Sequence, residues 1–250
     1  MPDLSDRDAL VCIYEYTRGV DRWRNNTYWN SERRCGQWFG VKVDEGAHIQ
    51  SLILTDNRLD GFFYENVRFS SLVNLRTLAL GSNLLRGCIP HSFKYFVSLE
   101  ELDLSWNKFE GEVPEEIYSL VRLRMVRLDN NLLTGELSVN LGRLTNLAFL
   151  QIHNNNLSGP IPKVGDKLPR LNVCEFRPGN PKLEGHVPPD AIEMRKWGLE
   201  PAKVKRRVHL EEDHRPGSGL GSRPGSGSRP GSGSRPGSRD SRPTSRGHLY

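Results

Sequence analysis

The side chains that could perform catalysis or hold a metal ion are scattered along this chain. Its seven histidines include no pair four residues apart and no H-E-x-x-H motif, so the sequence predicts no zinc-binding helix. The four cysteines have no C-x-x-C spacing; they are Cys12, Cys35, Cys88 and Cys174. The glycine-rich C-terminal segment lacks the G-K-[ST] ending of a phosphate-binding loop. We therefore expect a protein that is not an enzyme and that uses no cofactor or metal.

The side chains best suited to binding another protein lie near the middle of the chain. Trp106 stands immediately before Asn107 in "LDLSWNKFEGEVP", residues 102–114, and Arg127 lies in a similar segment further on. Large aromatic side chains and arginines are the most enriched among binding hot spots. Whether Trp106 and Arg127 face a partner depends on the strands and turns that position them. A repeat in the sequence defines those strands and turns.

A unit of 24 residues recurs through the middle of the chain, in the form of "LEELDLSWNKFEGEVP". The units begin at Ile49, Leu75, Leu99, Leu123, Leu147 and, in a looser copy, Leu171. An asparagine falls at the same place in the first five, as Asn57, Asn83, Asn107, Asn131 and Asn155. This regularity predicts a stack of equivalent coils.

Elementary physical chemistry accounts for each fixed position of the unit. The alternating apolar residues of L-x-x-L-x-L point to one side of a short strand, and stacked coils bury them as a continuous column. The asparagine amide can both donate to and accept from main-chain groups of adjacent coils. Glycine suits a tight bend, and proline suits the start of a short helical return.

These units resemble the plant-type subclass of the leucine-rich-repeat family, whose pattern is L-x-x-L-x-L-x-x-N-x-L-x-G-x-I-P. The resemblance implies an α/β solenoid: a right-handed superhelix with a concave parallel β-sheet, an N-terminal helical cap and a disordered C-terminal tail. The fourth copy departs from the pattern, because Leu137-Ser138 stands where "IP" is expected. We expect its turn to differ without disturbing the core.

The predicted organisation has four parts. Residues 1–47 form the N-terminal cap, and residues 48–188 form about six leucine-rich repeats. Residues 189–214 form a C-terminal cap and a charged extension. Residues 215–250 form a disordered basic tail rich in Ser, Arg, Pro and Gly, with seven arginines and one acid against a formal charge of +5 for the whole chain.

The N-terminal segment is similar to the cap of this family. Ser5 and Asp8 are placed to cap a helix. One face of that helix is predicted to hold Leu10, Ile13, Tyr14 and Thr17. The cap core is predicted to hold Trp23, Trp29 and Trp38.

Several features favour a cytoplasmic location. The first residues have acids where a signal peptide has a basic stretch and an apolar run, and no stretch approaches 18 apolar residues. Secreted members of the family have a second cysteine where this chain has Val43, so Cys35 lacks that partner. The sequons at Asn25 and Asn156 point the other way.

The x positions of L-x-x-L-x-L-x-x-N are predicted to face the concave side. The expected partner-binding residues there are Trp106, Arg127, Met125, Phe149, Asp103 and His153. Met125, Phe149 and Val173 form an apolar strip, while Asp103, Arg127 and Glu175 alternate in charge. Two alternatives stay open: Asp103 and Arg127 neutralise each other on a wet surface, or Trp106 lies flat on a neighbouring coil.

The leading hypothesis for function is a non-catalytic scaffold that binds a protein partner, of unknown identity, on the concave face. A second hypothesis is an anchoring or adaptor protein attached through its basic tail to an acidic polymer such as tubulin or RNA. A third is a secreted recognition or inhibitor protein. No membrane contact and no small-molecule substrate are predicted.

Overall fold

The computed structural model describes residues 5–64 and 69–185. The N-terminal cap and all six copies of the repeat lie largely within these ranges. The predicted C-terminal cap and basic tail, residues 189–250, lie outside the described residues, and the predicted boundaries there stay predictions.

The chain begins with a capping helix, α1, over Asp6–Tyr16. The predicted cap is confirmed, since Asp8 N donates to Ser5 Oγ at 3.3 Å and Ser5 N donates to Asp8 Oδ2 at 2.9 Å. The predicted inner face is also confirmed, because it is buried at Leu10, Ile13, Tyr14 and Thr17. Against it pack Trp23, Trp29 and Trp38, all buried, with 4.7 Å between the ring centroids of the first two.

The principal sheet has seven strands, one from the cap and one from each coil. They are β1 (Val41–Val43), β2 (Ile49–Ile53), β4 (Thr77–Ala79), β6 (Glu101–Asp103), β8 (Met125–Arg127), β10 (Phe149–Gln151) and β12 (Val173–Glu175). β1 runs antiparallel to β2, and the others are parallel in the order β2-β4-β6-β8-β10-β12. From β4 onward each residue pairs with the residue 24 positions later, as in Thr77↔Glu101.

Further strands line the flank of the stack. A four-stranded sheet contains β3 (Asp60–Gly61), β5 (Leu84–Cys88), β7 (Lys108–Gly111) and β9 (Leu132–Leu133). A two-stranded sheet pairs β11 (Ser158–Pro160) with β13 (Lys182–Glu184). These flanking sheets were not predicted from the sequence. Glycines permit its turns: Gly111 has φ +74°, and an added Cβ there would stand 2.8 Å from Cys88 Sγ.

Short 3-10 helices return the chain on the convex side. They span Cys35–Gln37 in the cap, then Phe69–Ser71, His91–Tyr95, Glu115–Ser119, Val139–Arg143 and Gly165–Lys167. The fourth copy makes the same return without its proline. Ser138 Oγ accepts from Asn140 N at 3.1 Å, and Leu137 stays buried, so a serine cap replaces the usual proline.

The asparagine at the end of each strand segment bridges coils, as predicted. Asn107 Nδ2 donates to Leu80 O of the preceding coil at 2.9 Å, while its Oδ1 accepts from Leu85 N at 3.0 Å. In the last coil the role falls to Asn180, displaced by one inserted residue, which donates to Ile152 O at 2.9 Å. Asn180 was not predicted from the sequence, because it follows Phe176 by four residues where the other coils have three.

Candidate functional site

The concave face, meaning the exposed side of the seven-stranded sheet, brings together the predicted apolar strip. Parallel register places Met125 beside Phe149 and Phe149 beside Val173. Phe149 is exposed and the other two are half-buried. The strip is therefore continuous across three coils and presents one aromatic ring to solvent.

A charged cluster lies next to the strip, two to four residues further along each coil. Its members are Asp103, Arg127, Asp129, His153 and Glu175. Arg127 Nη1 lies 3.0 Å from Asp103 Oδ2, and Arg127 Nε lies 3.8 Å from Asp129 Oδ1. His153 stands between two carboxylates, with Nε2 4.0 Å from Asp129 Oδ2 and Nδ1 3.5 Å from Glu175 Oε2.

Asp103 is buried and fully engaged within the fold. Its Oδ1 accepts from Ser105 N at 2.9 Å and from Ser105 Oγ at 2.6 Å, which leaves Oδ2 for Arg127. The carboxylate lies over Gly81, where an added Cβ would stand 2.9 Å from Oδ1. Its geometry suits it to orient Arg127 rather than to touch a partner.

Asp129 is the most deeply buried charge of the cluster, with a side chain only 2% exposed. Its Oδ2 accepts from Asn130 Nδ2 at 2.8 Å, and the Asn130 amide is itself held by Asn154 Nδ2 at 2.9 Å. Within residues 5–64 and 69–185, its Oδ1 has no hydrogen-bond donor. Asp129 is an x position of its coil and precedes His153 by the repeat length of 24 residues, but it was not among the predicted partner-binding residues.

Trp106 is 59% exposed and occupies a left-handed backbone conformation, with φ 53°. The same place in the other coils is left-handed too, at Asp56, Ser82, Asn130, Asn154 and Gly179. Those are small or polar residues, which tolerate this conformation far better than a bulky side chain does. The backbone is held in any case, because Trp106 N donates to Asp129 O at 2.9 Å.

The predicted binding residues therefore divide into three groups. Trp106 borders the charged cluster on one side, and the strip with Met125 and Phe149 borders it on the other. Among the residues that the structure describes, no ring contact or cation–π pair joins Trp106 to Arg127. The indole is 59% exposed to solvent.

Two further observations bear on the kind of site. In residues 5–64 and 69–185, no group of three or more His, Cys, Asp or Glu side chains is arranged to hold a metal ion. Within the same ranges no helix has both the length and the apolar character needed to cross a bilayer. The concave face thus offers apolar and charged contacts as its chemistry.

A family model for the leucine-rich repeat matches residues 47–109. A probable leucine-rich repeat receptor-like protein kinase of Arabidopsis thaliana is 34% identical over 74 residues, which is 30% of this chain and 6% of the kinase. The chain thus spans a small fraction of that relative's length, and the match gives no ground for carrying over its kinase activity.

Solved structures resemble the chain over a larger share. The leucine-rich-repeat ectodomain of the receptor kinase SOBIR1 from Arabidopsis thaliana is 32% identical, with a TM-score of 0.62, covering 74% of this chain and 98% of that one. The ectodomain of the membrane receptor kinase GASSHO1/SCHENGEN3 from the same plant, in complex with CASPARIAN STRIP INTEGRITY FACTOR 2, is 33% identical, with a TM-score of 0.65. That match covers 73% of this chain and 22% of the ectodomain.

These likenesses overturn the predicted cytoplasmic location. The matching structures are ectodomains of plant receptor kinases, which points to an extracellular or membrane-associated protein. The prediction drawn from the missing partner of Cys35 was therefore wrong. A cap core of three tryptophans closes the first coil here while all four cysteines are free, so the cap needs no disulfide to pack.

Proposed function

Because the chain belongs to the leucine-rich-repeat family, we propose that it acts by binding a protein or peptide partner on its concave face. The solved GASSHO1/SCHENGEN3 ectodomain is in complex with CASPARIAN STRIP INTEGRITY FACTOR 2. Receptor ectodomains among the neighbours favour a recognition role over the scaffold role first expected. The family and these neighbours also give no reason to propose catalysis.

The observation that supports this proposal best is the position of Trp106. A tryptophan in a left-handed conformation costs folding free energy relative to asparagine or glycine, and this one recovers little by burial because it is 59% exposed. Residues held at such a cost concentrate at binding and catalytic sites. A partner that covers the indole explains its presence.

The other residues take separate roles in the proposed site. Phe149 and Met125 supply apolar contact, and Arg127 and His153 supply polar contact. Asp103 acts as a positioning residue, since it is buried and holds the Arg127 guanidinium at 3.0 Å. Hot spots of this kind, with an aromatic anchor and a fixed arginine, commonly dominate a protein interface.

The hypothesis of a tail bound to tubulin or RNA has no support from the comparisons. It depends on residues 215–250, which lie outside the described residues. The matched proteins resemble this chain through the repeats, and the proposed function is therefore assigned to the repeats.

The test is affinity capture of partners from the native source, followed by measurement of the dissociation constant with each purified partner. We expect the double variant Trp106→Ala, Phe149→Ala to lose about 2 kcal/mol of binding free energy, or roughly thirtyfold in affinity. The matched control is Tyr95→Ala, Val139→Ala, which removes two exposed apolar side chains from the convex returns. Equal affinity of wild type and the concave double variant would refute the proposal.

A further inference from the structure

Three arginines converge on one aspartate where the cap meets the flanking sheet. Arg18 and Arg22 lie in the turn that follows α1, and Arg86 lies on β5. Arg18 Nη1 donates to Asp60 Oδ2 at 3.4 Å, and Arg22 Nε lies 4.0 Å from the same oxygen. Arg86 Nη2 donates to Asp60 Oδ1. One carboxylate thus faces three guanidinium groups, which we call the arginine cluster.

The neighbouring charges do not cancel this excess of positive charge. Asp21 lies in the same turn as two of the arginines, but within residues 5–64 and 69–185 it forms no ion pair. Lys108 is exposed, stands beside Arg86 in the register of β5 and β7, and has no ion-pair partner in those ranges. The next acid on β7, Glu110, is paired with Cys88 instead. The surface around the cluster therefore stays positive.

The guanidinium groups are open to solvent. The side chains of Arg18, Arg22 and Arg86 are 52%, 58% and 51% exposed, whereas that of Asp60 is 13% exposed. A guanidinium carries five N–H donors. Among the described residues, Asp60 takes one donor from each of two arginines and none from Arg22. A second carboxylate can therefore bind the remaining donors, which arginine offers as parallel pairs, without displacing Asp60.

An aromatic row, meaning Phe62, Tyr64 and Tyr16, begins beside the arginine cluster. Phe62 Cβ stands 3.4 Å from where a Cβ on Gly87 would lie, and Gly87 directly follows Arg86. The Phe62 ring packs on Tyr64 with 4.4 Å between centroids, and Tyr64 packs on Tyr16 with 5.0 Å. Phe62 and Tyr64 are both exposed. Positive charge and apolar surface thus adjoin on this flank of the molecule.

We propose that the arginine cluster and the aromatic row form a second docking surface, which binds an acidic segment of a protein partner. Carboxylates of that segment pair with the guanidinium groups, and an apolar side chain covers Phe62 and Tyr64. A nucleic acid fits less well, because its phosphates need a track of positive charge and this excess surrounds a single aspartate. The surface is separate from the concave face, since the principal sheet contributes none of its residues.

The test is a subtractive selection from a phage-displayed library of random twelve-residue peptides. The library is first depleted on the variant Arg18→Gln, Arg86→Gln and is then selected on the wild-type full-length protein. We expect the enriched peptides to share two or more acidic residues next to an apolar one. A synthetic copy should bind the depletion variant about tenfold more weakly than wild type, at roughly threefold for each arginine.

The basic tail decides the matched control, because it also attracts acidic peptides. Arg223→Gln, Arg229→Gln removes the same charge from that tail and should keep the affinity within about twofold of wild type. Arg22→Gln is a second cluster variant, which breaks no side-chain hydrogen bond among the described residues and should lose about threefold. Phe62→Ala should lose a similar factor. Thermal unfolding shows that each variant is folded.

The outcomes separate this inference from the proposed function. Equal losses in the tail variant and the cluster variants would overturn the inference, since binding would then follow net charge alone. A failure to enrich acidic peptides after depletion would overturn it too. A labelled uridine dodecamer that binds more tightly than the peptide, and is weakened by the same variants, would assign the surface to nucleic acid instead. Peptide affinity lost in Trp106→Ala, Phe149→Ala would place the peptide on the concave face, which overturns this inference and leaves the proposed function standing.

Discussion

Trp106 and Asn130 occupy equivalent places in adjacent coils and hold the same left-handed conformation, with φ of 53° and 57°. The main chains of the two coils are bonded here, because Trp106 N donates to Asp129 O at 2.9 Å and Asn107 N donates to Asn130 O at 3.2 Å. Asparagine adopts this conformation readily, whereas tryptophan does so at a cost. The fold thus favours a small polar residue at the place where this chain exposes an indole.

Replacing Trp106 by asparagine should therefore stabilise the fold. We expect Trp106→Asn to raise the free energy of unfolding by about 1 kcal/mol, since the left-handed cost falls and little buried area is lost. Urea denaturation of the purified variant measures this change. Ser82→Asn is the matched control, because it introduces the same residue at φ 56° without removing a ring. Destabilisation of Trp106→Asn alone would show that the indole packs on its own fold.

The adjacent residues Asn155 and Asn156 should respond very differently to alanine. Asn155 is buried, and its amide donates to Leu128 O at 3.0 Å while Oδ1 accepts from Leu133 N at 3.0 Å. Removing that amide leaves Leu133 N without its acceptor and takes one of two donors from Leu128 O, which Asn131 Nδ2 also reaches at 3.1 Å, and this costs about 2 kcal/mol. Asn156 is exposed, so its alanine variant should stay within about 0.5 kcal/mol of wild type. Equal urea midpoints for Asn155→Ala and Asn156→Ala would contradict the bridging role of Asn155.

The ion pair between Asp103 and Arg127 should be energetically coupled. A double-mutant cycle with alanine is expected to give a coupling energy of about 1 kcal/mol. The carboxylate is buried, so dissolved salt weakens its attraction to Arg127 only slightly. The exposed pair of Arg76 and Glu100, at 3.3 Å, serves as the comparison and should give less than about 0.5 kcal/mol. Thermal unfolding in low and high salt gives both couplings. A coupling energy near zero for Asp103 and Arg127 would refute the proposal that Asp103 positions Arg127.

A disulfide can be introduced where the cap lacks one. Gly36 follows Cys35 and lies against Val43, since an added Cβ would stand 2.7 Å from Val43 Cγ2. We expect Val43→Cys to form a disulfide with Cys35 under oxidising conditions and to stabilise the protein by about 2–3 kcal/mol. Melting with and without reductant measures the gain, and Val43→Ser with the same reductant is the control. A disulfide leaves three free thiols in this variant, so five free thiols after oxidation, detected by alkylation and mass spectrometry, would disprove the proximity.

The sequence predicted most of the fold because the coils repeat. The cap helix with its Ser5 cap, the buried tryptophans and the bridging asparagines all follow from local spacing and side-chain chemistry. Asn180 was missed because one inserted residue breaks the count, although the bridge itself is preserved. The flanking sheets were also missed, since their pairs depend on how closely neighbouring coils approach.

The sequence by itself determined which residues share the concave face, because a constant repeat length places equivalent positions in rows. Only the tertiary structure decided which of them reach solvent. Asp103 and Glu175 occupy the same position of their coils, yet their side chains are 12% and 45% exposed. Asp103 lies over Gly81 and is closed in by Ser105 and Arg127, whereas Glu175 lies on the last strand of the sheet. Exposure is set by the side chains of adjacent coils, which no single repeat encodes.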